Sequence, residues 1–168
     1  MAIPCRGQSP NSSLSVGARY HVDHSAFTDL PFDDGDISYA LAYEFSEKHA
    51  CWQLAVGFAP DVSGTRDGDD ADVDSVKTDY VITPQLNLIF FDRFFRTGTG
   101  IRGYYIVDDD GDGEWIGPDW QLQIGLGIPF GETISLAANA YYVLESWDRI
   151  TKFAFDDLEY GMWLSYKF

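Results

Sequence analysis

Asp108-Asp109-Asp110-Gly111-Asp112-Gly113-Glu114, followed by Asp119, is the stretch of this chain best suited to holding a metal ion. Counted from Asp108, carboxylates fall at positions one, three and five, glycine at six and an acid at twelve. Calcium loops use that spacing because alternating oxygens converge on the ion where glycine permits a sharp turn. Asp108, Asp110, Asp112, Glu114 and Asp119 are therefore the candidate ligands, for calcium if for any cofactor. Position twelve is Asp rather than a bidentate Glu, and the flanking sequence is not helical. A solvated acidic hairpin tip is the competing reading. Asp67, Asp69, Asp70, Asp72 and Asp74 make a looser cluster without fixed geometry.

Nucleophilic chemistry has less to work with. The histidines are His21, His24 and His49, and His24 is adjacent to Ser25, with no carboxylate placed to orient that pair beyond the general acidity of the loop. No catalytic residues are assigned and an enzyme is not expected. Cys5 and Cys51 are too few for a disulfide framework and match no zinc spacing. A formal net charge of −16, with 11 Lys and Arg spread along the chain, would repel a polyanion, so nucleic acid is not an expected partner. Aromatic residues make up 16% of the chain, too much apolar surface for disorder.

The elements that must carry these residues repeat with period two. Apolar side chains alternate through 14–22, 37–45, 52–58, 80–90, 95–105, 120–130, 134–144 and 158–168, which predicts eight β-strands and no helix. Connections alternate in length. Those at 46–50, 91–94 and 131–133 are hairpin turns, whereas 23–36, 61–79, 108–119 and 146–157 are long and rich in Asp, Gly and Ser. Pro84, which lacks the N–H a closed ladder needs, predicts a bulge in the fourth strand.

Between the apolar rows lie small or polar residues such as Ser15, Gly17, Gln53, Asn87, Gln121, Gly125 and Asn139. An eight-stranded barrel is too narrow to hold the Tyr, Trp, Leu and Ile of the larger row, so that row must face outward. Apolar surface around a whole barrel is tolerated in lipid, where closure satisfies every backbone donor and acceptor. Aromatics gather at both ends of the rows (Tyr20, Tyr39, Phe58, Tyr142 and Tyr160 at one, Phe45, Trp52, Phe90, Phe130 and Tyr166 at the other) with aliphatics between, the sorting that two membrane interfaces select. The expected fold is all-β: one domain over residues 1–168, an eight-stranded antiparallel up-and-down transmembrane barrel with a filled polar interior and a tail at 1–12. No run approaches 18 consecutive apolar residues, and Met1-Ala2-Ile3-Pro4 does not read as a signal peptide, so the processed form of an exported protein is expected.

Across 14–168 the chain resembles the small eight-stranded outer-membrane barrels of Gram-negative bacteria, of the OmpA transmembrane-domain type. Its last strand, Glu159-Tyr160-Gly161-Met162-Trp163-Leu164-Ser165-Tyr166-Lys167-Phe168, is similar to the C-terminal assembly signal of that class, carried by Gly161, Leu164, Tyr166 and Phe168. The resemblance implies delivery by the outer-membrane assembly machinery, long loops outside the cell and turns and termini in the periplasm. It also puts Cys5 and Cys51 together on the oxidising periplasmic side, where a disulfide between them is expected.

Charge then sorts by place. Of the 27 acidic residues, 21 lie in the four long connections, opposed there by Arg66, Lys77, Arg149 and Lys152. Within the barrel, Glu44, Arg96 and Lys167 fall toward the turn end and Arg19, Arg102, Glu145 and Glu159 toward the loop end, where opposite charges should pair as a plug. The expected role is a surface-displayed structural or interaction protein. Its partners would be outer-membrane lipid, lipopolysaccharide bridged through divalent ions, or a basic protein at the acidic loops. A narrow pore and a lipid A-modifying enzyme are the alternatives.

Overall fold

The structure is a computed structural model that describes residues 11–22, 31–66, 76–92, 94–109 and 111–168. Strands β1 (Asn11–Tyr20), β2 (Ile37–Glu47), β3 (Ala50–Arg66), β4 (Val76–Asp92), β5 (Phe95–Asp108), β6 (Gly113–Phe130), β7 (Ile134–Leu144) and β8 (Glu159–Lys167) form a closed barrel in sequence order. Every neighbouring pair is antiparallel, and β1 closes on β8 from Ser13↔Lys167 to Tyr20↔Tyr160. Closure leaves no unpaired edge.

Alternation decides which side chains face where. In β3, Trp52, Leu54, Val56 and Phe58 are exposed on the outer face while Cys51, Gln53, Ala55 and Gly57 are buried in the lumen. The same division holds in β2 and β8. Each strand contributes exposed apolar side chains to the outer surface, among them Val16, Leu41, Leu54, Leu86, Ile101, Ile124, Ile134 and Leu164.

The strands outrun the sequence reading on one side of the barrel. Residues expected in the long connections 61–79 and 108–119 continue as strand, leaving only 67–75 and 109–112 between β3 and β4 and between β5 and β6. The apolar row changes face there: Ala59, Val62, Val81, Tyr104 and Ile106 point inward and pack on Phe32 from the first long connection, with Ile116 against them. The hairpins thus extend the barrel upward around an apolar cap, with register shifts at Val62/Thr65, Thr78/Tyr80 and Arg102/Tyr104.

Two further expectations are corrected. Short 3₁₀ helices, η1 (Trp147–Lys152) and η2 (Phe155–Asp157), occupy the last connection, which was read as loop. Pro84 makes no bulge: it pairs with Val56, and the β4–β5 register is the same before it (Ile82↔Tyr105) and after it (Gln85↔Arg102). Its missing N–H stands opposite Gly103, where the neighbouring β5–β6 ladder is already interrupted.

Candidate functional site: the charged lumen

Glu159 is the hub of the loop-end half of the lumen. It opens β8 facing inward and is fully buried. Arg102, directed inward by β5, holds it in a fork, NH1 donating to Oε2 at 2.9 Å and NH2 to Oε1 at 3.1 Å. The Arg19 guanidinium of β1 contacts the same carboxylate and lies over the Tyr141 ring, 4.0 Å from its centroid. His21 sits one residue beyond β1. Burial pushes its imidazole below its ordinary value against the pull of Glu159. A neutral ring fits the geometry, with Nδ1 donating to Glu159 Oε1 at 3.0 Å and Nε2 accepting from Ser38 Oγ at 2.9 Å. Phe32 stacks on His21 at 3.7 Å between ring centroids and meets Tyr104 edge-on at 5.9 Å, which closes the loop end with rings.

At the turn end, Glu44 of β2 pairs with Arg96 of β5, NH2 to Oε1 at 3.2 Å, and accepts from Ser13 Oγ at 3.2 Å. Below them opens a cavity of about 310 Å³, lined by Glu44, Arg96, Cys51, His49, Lys48 and Lys167 among others.

The two charge clusters are joined. Arg19 NH1 donates to Gln121 Oε1 at 2.9 Å, Gln121 Nε2 to Asn87 Oδ1 at 2.6 Å, Asn87 Nδ2 to Gln53 Oε1 at 2.9 Å, and Gln53 Nε2 to Glu44 Oε1 at 2.7 Å. Every donor points toward Glu44, so the amide dipoles line up between a cation and an anion and polarise one another. Glycines make room for this: a Cβ on Gly100 would strike Asn87, and one on Gly125 would strike Asn139. Beside the chain, Trp163 Nε1 donates to Tyr141 OH at 2.7 Å, and Trp163 packs against Ala42, Ala55 and Ala137.

The expected clusters therefore form around Arg19, Arg102 and Glu159 and around Glu44 and Arg96. Two of their expected members do not enter the lumen. Glu145 follows the end of β7 and is exposed, and Lys167 is exposed at the turn-end rim, because at a strand's last residues alternation no longer aims a side chain into a closed interior. Asp119 takes a place no spacing argument gave it: it is buried and is the Cα partner of Arg102. Three guanidiniums in the lumen, Arg19, Arg96 and Arg102, thus meet three carboxylates, Glu44, Asp119 and Glu159.

The described part of the 108–119 stretch is a turn and the start of a strand. Gly111 N donates to Asp108 O at 2.8 Å and Asp108 N to Asp112 O at 3.0 Å, closing a tight turn. Glu114 already pairs with Ile106 in the ladder, and at ~3.4 Å per residue Asp119 lies up to roughly 17 Å down β6 from it. Asp112 and Glu114 remain exposed near the tip, and Asp110 lies outside the described residues. Among the described residues, no group of three or more His, Cys, Asp and Glu side chains could hold a metal ion. Cys51 is a buried free thiol whose Sγ donates to Trp52 O at 3.5 Å; Cys5 lies outside the described residues, as do His24, Ser25 and the 67–74 acidic cluster. In β8, Leu164, Tyr166 and Phe168 face outward and are exposed, whereas Gly161 faces inward and leaves space for the Tyr141 ring.

No family model matches the chain, and no curated protein matches it. Among solved structures it is similar to Ail, the attachment invasion locus protein of Yersinia pestis, in its complex with the heparin analogue sucrose octasulfate, with 16% identity over 96% of this chain and 100% of that one and a TM-score of 0.47. The architecture is that of the small eight-stranded barrels. The fold expected from the resemblance is thereby met, strand for strand in number and order.

Proposed function

We propose that this protein is an integral barrel of a bacterial outer membrane that serves as a surface-displayed structural or interaction protein, with a sealed lumen. The observation that carries this reading is the outer surface. Apolar side chains stand more than a third exposed on all eight strands, Leu54 at 60% and Ile124 at 63%, while polar groups are buried inside. Water would not sustain that inversion around a closed barrel, whereas lipid requires it. The seal is supported by the burial of Arg102, Gln121 and Glu159 inside the barrel, each 1% exposed or less.

In this reading the acidic connections lie outside the cell and the turns and termini in the periplasm. The connections would attract divalent ions, calcium among them, lipopolysaccharide bridged through such ions, or a basic protein. A Cys5–Cys51 disulfide would tie the tail to the turn-end rim. Intact cells carrying Asp112→Cys or Glu132→Cys in a Cys5→Ser, Cys51→Ser background test the orientation with a membrane-impermeant maleimide. The expected result is labelling at position 112 alone; labelling at 132 alone, or at neither, overturns the reading.

A further inference from the structure

The apolar belt does not end where the strands do. Tyr142 and Leu144 belong to the outward row of β7, in step with Ile134, Leu136, Ala138 and Ala140, yet they are buried, Leu144 completely. Their covering is the last connection. Trp147 of η1 packs on Trp120 of β6 with ring centroids 5.4 Å apart, Phe153 packs on Tyr142 at 4.8 Å, and Phe155 of η2 packs on Phe153 at 5.0 Å. Residues 147–157 therefore fold back over the outside of the barrel rather than projecting from its mouth.

The covering segment presents apolar side chains of its own. Trp147, Ile150, Phe153 and Phe155 are 42–76% exposed. A segment that only shielded Tyr142 and Leu144 from water would turn polar groups outward. Beside the exposed Thr151 and Asp156, this one hides two apolar residues and offers four in their place, continuous with Trp120 in the aromatic ring at the end of the belt.

We infer that residues 147–157 form an interfacial collar that inserts Trp147, Ile150, Phe153 and Phe155 into the headgroup boundary of the lipid leaflet beside β6 and β7. The occupant of this surface is lipid because the patch is unbroken with the lipid-facing belt, and because aromatic side chains at that level prefer the boundary between acyl chain and water. The collar rests on the transmembrane reading and makes the barrel's lipid contact lopsided, deeper on the β6–β7 side than elsewhere.

Photocrosslinking separates the two claims. The full chain, carrying p-benzoylphenylalanine in place of Phe155, Leu54 or Asp112 in three separate proteins, is folded into phosphatidylcholine vesicles, irradiated and weighed by mass spectrometry; Ile150 is the substitute position if the Phe155 variant does not fold. Lipid adducts are expected at 54 and 155 and at least tenfold fewer at 112. Adducts at 54 without any at 155 overturn the collar and leave the transmembrane reading standing. So does a protein–protein adduct at 155, which would make the patch a contact with a second copy. Equal adducts at 112 and 155 overturn the collar as unspecific capture, and no adduct at 54 overturns both claims.

Discussion

Replacing Glu159 by Gln changes one atom in the loop-end half of the lumen and should cost most of what the cluster there supplies. Glu159 is fully buried and takes the Arg102 fork, the Arg19 guanidinium and the His21 Nδ1 donor. At an effective dielectric constant near 20, each guanidinium–carboxylate attraction at 4 Å is worth about 4 kcal/mol before desolvation is charged against it. Glutamine keeps one acceptor and the shape but removes the anion that Arg19 and Arg102 share. Breaking a buried pair from one side typically costs about 3–5 kcal/mol, because the partner's desolvation is no longer offset. Urea unfolding in detergent micelles or thin bilayers should therefore show Glu159→Gln destabilised by about 3–5 kcal/mol. Adding Arg102→Met should recover part of the loss, giving a coupling energy of at least 1 kcal/mol in a double-mutant cycle. A single-variant loss below about 1 kcal/mol would mean that water already screens these charges, as it does at exposed pairs, and that the lumen is a wet passage rather than a plug.

Planar-bilayer recordings follow from the same picture: the wild type should show no stable openings, and openings altered by Arg102→Ala would refute the plug. Leu54→Arg, at the middle of the exposed belt, should destabilise the barrel in bilayers by about 2–4 kcal/mol, and an unchanged unfolding curve would argue against a lipid-facing position. Gly100→Ala should cost about 1–3 kcal/mol, since its Cβ would strike Asn87 within the amide chain; stability equal to wild type would show that the chain yields there. The His21 ring is held below its ordinary value near 6.5, so the unfolded chain takes up the proton first. Its contribution is present above about pH 6.5 and declines as pH falls below that, and His21→Gln should flatten the acid side of the stability profile.

The lower barrel is legible in the sequence because one physical rule governs all of it: lipid-sized apolar residues out, small or polar residues in. Where that rule inverts, reading by outward rows stops. Val62, Val81, Tyr104 and Ile106 are apolar and face inward, and at 61–66, where the outward row has ended, the sequence reads as the beginning of a loop. The lumen charges Arg19, Glu44, Arg96, Arg102 and Glu159 were legible from parity alone. Parity gave no warning that Glu145 and Lys167 sit where the lumen has already ended. Nor could it join Gln53, Asn87 and Gln121, whose contact depends on the stagger of strands that are far apart in sequence. Spacing groups Asp119 with the residues of the 108–114 turn, because spacing along a chain cannot tell a turn from the strand that leaves it.

The file of amides between Arg19 and Glu44 draws on β1, β2, β3, β4 and β6, and its cationic end is fixed by a carboxylate from β8. No open sheet can form it. Until β1 meets β8 these side chains keep their water, so a partly assembled barrel has a wet interior between lipid-facing walls. If the lumen is sealed as proposed, drying it and zipping the last seam are one event, and the step that makes the barrel a closed wall is also the step that would stop it leaking.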